Sequence, residues 1–389
     1  MRFAVSATED AARRGRLAFP DGLTVETPAF MPVATHGTVM ALAPHDVEAL
    51  GYEMVLMNTY HLHVRPGEDC IRARGGLRRF FRWKRPILTD SGGFQVLSLA
   101  RDAPASGQAG RVAVDDDGVT FASHIDGARK RLTPEGVLSI QHALGSDVWM
   151  CLDHCPPHSE DRRLVEEAAR RTLRWAERSR AAYEALPEPK GVLFGVVQGG
   201  TLAELREANA RALAALDFSG YALGGLSVGE SKERMLETTS LACAALPEEK
   251  PRYLMGVGTP RDIVECVARG VDLFDCVIPT RNARNGTLYT RRGKISLKRR
   301  ELAARDDPPD AECACFTCRN FSLAYLRTLW KQKEISSMRL NTIHNLAFYA
   351  DLMRASREAI ERKNFAAWKE AVVRDQEADA EDQESGDSD

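Results

Sequence analysis

The 389-residue chain contains no uncharged apolar run of about 18 residues, which excludes a helix that spans a membrane. Its start lacks an apolar core of about 7–15 residues ahead of a small-residue cleavage site, so no secretory leader is expected and the cytoplasm is the expected compartment. Cysteine is sparse: nine residues, without the dense spacing of a secreted scaffold, imply reduced thiols or metal ligands rather than disulfides. Five of them, Cys70, Cys151, Cys243, Cys266 and Cys276, fall in helix or strand patterns and read as packing residues. Aromatics make up only 7%, yet hydrophobic residues reach 44% and charged ones 28%, which excludes wholesale disorder and supplies a large core. Net charge is small, at −2, but unevenly spread: residues 375–389 hold eight acids and no Lys or Arg. The rest is therefore mildly basic, a balance compatible with a nucleic-acid partner without requiring one.

What is present is a rhythm. Eight short apolar runs, at 29–35, 54–59, 87–90, 147–153, 191–198, 220–224, 252–257 and 273–279, alternate with amphipathic stretches such as 161–186, 202–216, 232–245 and 260–269. Strand followed by helix is the order of parallel βα units, and eight of them favour an α/β fold of the (β/α)8 TIM-barrel type over an open sheet. The expected domains are a catalytic barrel over 1–286, a zinc-binding subdomain with helices that pack on it over 287–374, and an acidic disordered tail over 375–389. Two stretches break the rhythm. Residues 107–131, with Asp116-Asp117-Gly118 between alternating runs, read as a β-hairpin insertion after the third strand. Beyond Pro279 come a hairpin at 287–297, a cysteine cluster, and helical patterns at 321–333 and 343–363.

Cys313, Cys315 and Cys318, followed by His344, supply three thiolates and one imidazole, the donor set of a closed tetrahedral zinc site. Such a set leaves no open position for a substrate, so one structural zinc ion per chain is expected.

Barrel chemistry sits at the C-terminal ends of the strands. Asp90 ends the third run in Thr-Asp-Ser-Gly-Gly-Phe-Gln, Asp153 the fourth, Gln198 the fifth and Gly224-Gly225 the sixth. Asp275 lies inside the apolar run Leu273-Phe-Asp-Cys-Val-Ile278, where a carboxylate is costly unless paired or functional; Asp272 reads as ordinary. Two carboxylates across a barrel mouth supply a nucleophile and a general acid/base for chemistry at a sugar carbon, roles that suit Asp275 and Asp90. Asp153, Gln198 and the amides near Gly225 suit the hydrogen-bonding edge of a planar heterocycle. A basic tract follows, with Arg281, Arg284, Arg291, Arg292, Lys294, Lys298, Arg299 and Arg300, as phosphates would require.

Taken together, the chain from about Phe3 to Lys363 resembles the tRNA-guanine transglycosylases. The resemblance rests on Met31-Pro-Val, Asn58-Thr-Tyr-His-Leu62, Arg65-Pro-Gly67, Thr89-Asp-Ser-Gly-Gly-Phe-Gln-Val96, Gly195-Val-Val-Gln-Gly-Gly200, Gly224-Gly-Leu-Ser-Val-Gly-Glu230, Arg252-Tyr-Leu-Met-Gly-Val-Gly258 and Phe274-Asp-Cys-Val-Ile-Pro-Thr-Arg281, with the zinc ligands in family order. It implies that Asp275 attacks the anomeric carbon of a wobble guanosine, that guanine leaves a covalent tRNA–enzyme intermediate, and that Asp90 handles the protons. It further implies base contacts from Asp153, Gln198, Gly225, Leu226, Ser91 and Cys155, a sandwich of the ring between Phe94 and Met255, and anticodon-loop contacts from Arg281 and Arg284. The partners implied are the tRNA anticodon loop, a 7-deazaguanine base and a second copy of the chain, docked through the zinc subdomain.

The incoming base implied by Cys155 and Val228 is 7-aminomethyl-7-deazaguanine (preQ1), since the eukaryotic enzymes, which take queuine, carry glycine where Val228 stands. One departure matters: the family's Asp-Glu-Cys-Thr-Pro reads Asp153-His-Cys-Pro-Pro157, so His154 and Pro156 are expected to alter the wall beside the base. Queuine is the alternative. A non-catalytic tRNA-binding partner is opposed by the retained Asp90 and Asp275. An archaeal D-arm enzyme would carry further RNA-binding domains, and a metallohydrolase would need an open metal position.

Overall fold

The computed structural model describes residues 1–101 and 112–384. Eight parallel strands form one sheet: β1 (Ala29–Pro32), β2 (Val55–Met57), β3 (Ile87–Thr89), β4 (Val148–Met150), β5 (Val192–Val197), β6 (Gly220–Leu223), β7 (Arg252–Leu254) and β8 (Leu273–Cys276). Each falls inside one of the eight apolar runs. Neighbours follow chain order, and β8 pairs with β1 in the register Asp275 to Met31. The ring closes between β1 and β2 through a parallel bridge from Val33 to Leu56, with Ala34 N donating to Leu56 O at 2.7 Å. The α/β barrel is thus the observed architecture.

The lumen is solid. Met31, Val33, Met54, Leu56, Leu88, Val148, Met150, Phe194, Val196, Ala222, Tyr253 and Leu273 fill it, joined from below by Leu17, Phe19 and Val25. Leu17 and Val25 belong to an antiparallel sheet of Arg2–Glu9, Ala12–Ala18 and Thr24–Thr27, and Phe19 follows its second strand; the apolar periodicity does not announce this element. Its alternation is masked by Arg13, Arg14 and Arg16, one of which is itself buried. Arg13 crosses to the lower end of β8, where Nε donates to Asp272 Oδ1 at 2.9 Å, and Asp272 Oδ2 accepts from Arg252 N at 2.7 Å.

Seven helices position the site and its supports: α1 (Thr59–Val64), α2 (Gly93–Arg101), α3 (Arg162–Glu184), α4 (Ala203–Ala214), α5 (Ile278–Arg284), α6 (Ile335–Glu361) and α7 (Phe365–Glu384). The insertion after β3 is a three-stranded antiparallel sheet of Ala113–Val114, Val119–Ala122 and Arg129–Leu132; the portion of the expected hairpin before residue 112 lies outside the described residues. The expected helix at 343–363 starts eight residues earlier, at Ile335. Ser336, Ser337, Asn341 and Thr342 are poor helix formers, and burial of Ser337, Leu340, Asn341 and Thr342 against the barrel overrides that preference. Where a disordered acidic tail was expected from 375, α7 continues through Glu384; residues 385–389 lie outside the described residues. Among the described residues no helix is long and apolar enough to cross a membrane.

Candidate active site and metal centre

The upper ends of the strands bring the expected carboxylates together. Asp275, the third residue of β8, is buried; Tyr253 from β7 donates its hydroxyl to Oδ1 at 2.6 Å, and Gly256 N donates to the same oxygen at 2.8 Å. Oδ2 has no hydrogen-bond partner among the described residues. Burial raises the Asp275 pKa, while the Gly256 amide and the Tyr253 hydroxyl act to lower it. Burial and the adjacent carboxylate hold the Tyr253 phenol protonated, so that it serves as a donor.

Asp90 follows β3 and is gripped from α1 and α2. Asn58 Nδ2 and Gln95 Nε2 both donate to Oδ2, the latter at 2.8 Å, and Thr59 N donates to Oδ1 at 2.9 Å. Burial pushes its pKa up to about 6, against these three donors, and the charge of Asp275 adds to the rise. That mutual repulsion ties the two groups into one electrostatic site. An acid poised near neutrality can give and take protons at working pH.

A second cluster lies beside the first. Gln198, after β5, donates Nε2 to Asp153 Oδ2 at 2.8 Å, and Ser91 Oγ approaches Asp153 Oδ1 at 3.5 Å. Burial lifts Asp153 to about 6 as well. Gly225 sits against Gln198 so tightly that a Cβ there would meet Oε1 at 2.4 Å, and its φ of +66° adds a second reason for glycine. Leu226 and Cys155 are buried, whereas Phe94, on α2, is 42% exposed at the mouth and Met255 is half-buried. Arg281 and Arg284 occupy α5, within three turns of Asp275; Arg284 Nη1 donates to Thr280 O at 3.1 Å, and Arg281 is exposed.

His154 does not face the base cluster. Backbone alternation sends Asp153 and Cys155 inward and His154 outward onto α3, where its N donates to Thr172 Oγ1 at 2.9 Å and its Nδ1 accepts from Arg171 Nη1 at 3.1 Å. Arg171 has no acceptor to offer, so this imidazole is neutral, and burial followed by Arg171 lowers its pKa to about 4. The expectation that His154 changes the wall is therefore corrected; Pro156 does line a narrow hollow with Pro157, His158, Gln198, Gly225 and Val228.

The cysteine cluster forms around α6. The sulfurs of Cys313, Cys315 and Cys318 and a nitrogen of His344 all lie within 4.8 Å of one another, and all four residues are buried. His344 Nε2 donates to Tyr289 O at 2.8 Å, which leaves Nδ1 as a lone pair turned toward Cys318 Sγ at 3.2 Å. Hydrogen bonding from Cys313 and Cys318 lowers the pKa of Cys315, and contacts with Cys313 and Cys315 push that of Cys318 up. The donors, spacing and tautomer fit one tetrahedral metal ion, consistent with zinc.

Tyr253, Gly256, Asn58, Thr59 and Gln95 were not singled out from sequence as site residues. Their signal was membership of three of the quoted motifs, Asn58–Leu62, Thr89–Val96 and Arg252–Gly258, which assigns no role to any one residue.

Comparison with known proteins identifies the family. Residues 8–378 match the family model described as Queuine tRNA-ribosyltransferase. The chain is 51% identical over 371 residues to the queuine tRNA-ribosyltransferase of Nitratidesulfovibrio vulgaris (strain DP4), covering 94% of this chain and 95% of that one. It is 49% identical over 368 residues to that of Thioalkalivibrio sulfidiphilus (95% and 96% covered) and 48% over 374 residues to that of Aquifex aeolicus (96% and 98%).

Proposed function

The chain belongs to the queuine tRNA-ribosyltransferase family, the tRNA-guanine transglycosylases, and we propose that it exchanges the wobble guanine of tRNAs with a GUN anticodon for preQ1 in queuosine biosynthesis. The observation that carries this reading is the Asp275 carboxylate, fixed at Oδ1 by Tyr253 and Gly256 with Oδ2 left open, opposite a second carboxylate of raised pKa. Oδ2 forms a bond to the ribose anomeric carbon as the bond from that carbon to guanine breaks, and Asp90 delivers the proton to the leaving base. An incoming base then gives a proton to Asp90 and displaces Asp275. One glycosidic bond replaces another, so no energy source is consumed.

Asp153 accepts from the N–H groups of the base, Gln198, Gly225, Leu226, Ser91 and Cys155 complete its edge and floor, and Phe94 and Met255 flank the ring. The relatives' name refers to queuine; the narrowness of the hollow bounded by Pro156, His158 and Val228 favours the smaller preQ1. Arg281 and Arg284 meet anticodon-loop phosphates. The Cys3His group holds one zinc ion, which ties the loop of cysteines to α6 and takes no part in the chemistry. A domain limit near 286 separates the barrel from the zinc subdomain, and the acidic segment from 375 continues along α7. A homodimer is supported by exposed apolar groups around that subdomain, among them Phe316, Tyr325, Ile335 and Met338, with Phe321 and Tyr325 rings stacked at 5.4 Å. The site of action is the cytoplasm, where its tRNA substrate resides.

The deciding experiment incubates the protein with tRNA bearing a uridine-guanine-uridine anticodon and, separately, labelled guanine, preQ1 or queuine. Nucleoside mass spectrometry should report exchange with preQ1, abolished in Asp275→Asn. Exchange with queuine alone would overturn the choice of base, and no exchange by folded protein would favour a tRNA-binding partner. Metal analysis should return about one zinc per chain, lost in Cys318→Ser.

A further inference from the structure

Arg206, on α4, is fully buried and forms no ion pair with a carboxylate among the described residues. Its guanidinium instead binds three backbone carbonyls: Nη1 donates to Val197 O and Gly224 O, each at 2.8 Å, and Nε and Nη2 donate to Gly200 O at 3.0 and 2.6 Å. Those carbonyls belong to the last residue of β5 and to the two loops that carry Gln198 and Gly225. One helical turn on, Asn209 Oδ1 accepts from Gln198 N at 2.8 Å, and its Nδ2 donates to Ala169 O at 3.1 Å. A buried cation without a direct ion pair is costly, and burial lowers the pKa of this arginine to about 10 although Cys155 and Glu230 act to raise it. Mere packing does not require that cost, since an apolar side chain would fill the same volume.

We propose that Arg206 is a positioning residue for base recognition, which acts through the Gly224–Gly225 peptide. A trans peptide points its C=O and the following N–H in opposite directions. With Gly224 O turned down onto Arg206, the Gly225 N–H is turned up toward the mouth, and the charge-assisted bond below polarises that peptide and strengthens the donor above. Complementarity assigns its target. The Asp153 carboxylate can only accept, so it serves the N–H groups of a guanine-type edge and leaves the ring carbonyl to a donor. Gln198 Nε2 spends one of its two hydrogens on Asp153, and the Gly225 amide supplies the backbone donor that Arg206 fixes toward the carbonyl.

This inference rests on the transglycosylase reading and is tested by a chemical double cycle. Arg206→Lys and Arg206→Met are compared with the parent for guanine and for 2-aminopurine, which lacks the carbonyl and the adjoining N1–H, the latter loss being common to parent and variants and cancelling in the cycle, by direct titration of each base and by exchange into tRNA. The parent should prefer guanine by about 100-fold or more, and Arg206→Lys should reduce that preference about tenfold, with the guanine KM raised and the tRNA KM within about twofold of the parent. Equal weakening of both bases, or parallel loss of guanine and tRNA affinity, would sink the proposal. Should Arg206→Met not fold, the lysine variant and the base titrations carry the test. Absence of exchange in the parent would refute the transglycosylase reading itself, while the titrations would still report on Arg206.

Discussion

Asp272, immediately before β8, and Asp275, within it, stand three residues apart, both buried, and they differ in what holds them. At the lower end Asp272 is saturated: Arg13 binds both oxygens and the Arg252 amide adds a third donor. At the upper end Asp275 receives two donors on one oxygen only. A carboxylate with both oxygens engaged is a strut; one with an oxygen left open toward a cleft is a reagent. Burial raises the pKa of both, so desolvation alone does not separate them, and the distinction lies in the hydrogen-bond count and the end of the barrel.

The largest effects should fall on this contrast. Asp275→Asn is expected to lose at least about 10⁴-fold in kcat for base exchange, with a urea midpoint close to the parent's. Asp272→Asn should do the reverse, with a stability loss of about 3–5 kcal/mol from an orphaned Arg13 and exchange by the folded fraction within a few-fold of normal. Paired kinetics and denaturation on the two variants check it. If Asp272→Asn cost activity while stability held, strut and reagent would not be separable roles.

The contrast also explains what the sequence could reveal. Strand periodicity located all eight barrel strands, the rule that chemistry follows strand ends picked out Asp90, Asp153 and Gln198, and the cost of a carboxylate inside an apolar run picked out Asp275. Local pattern could not find the partners, because Tyr253 reads as an ordinary strand residue until β7 is placed beside β8, and Arg206 reads as a solvated helix face until α4 docks under two loops. The N-terminal sheet was hidden for a related reason: Arg13 looks exposed without Asp272 opposite it. His154 is a different case, since period-two alternation from Asp153 already points it away from the base. The substitution in the motif drew attention to identity rather than direction.

A smaller effect should distinguish the mouth from the base of the barrel by pH. The pKa of Asp90 is about 6 in the fold and near the usual 3.8 when unfolded, so the native state binds the proton more tightly. Stability contributed by this group is therefore full at low pH and is lost as pH rises, with the loss complete above about pH 6. Asp90→Asn removes the dependence. Between pH 5 and pH 8 the parent should lose about 1–2 kcal/mol relative to the variant, read as a difference of urea unfolding free energies, in which the constant cost of altered hydrogen bonds cancels. A gap that stays flat with pH would mean that Asp90 is ionised throughout the native range.

The smallest change should alter selectivity with little else. Val228 lies in the loop after β6, where the Glu230 carboxylate accepts from Ser227 N and from Val228 N, the latter at 3.0 Å. Those bonds use backbone donors, so Val228→Gly keeps the loop's anchoring and removes only the isopropyl group that borders the hollow beside Gly225 and Pro156. Loss of this side chain should cost at most about 1 kcal/mol in stability, because Val228 is only partly buried. It should raise kcat/KM for queuine by about tenfold or more while preQ1 stays within about threefold, the scale on which a few methyl groups discriminate in an apolar pocket. If queuine gains nothing, the wall that excludes it is Pro156 with His158, and Pro156→Ala becomes the substitution that opens the site.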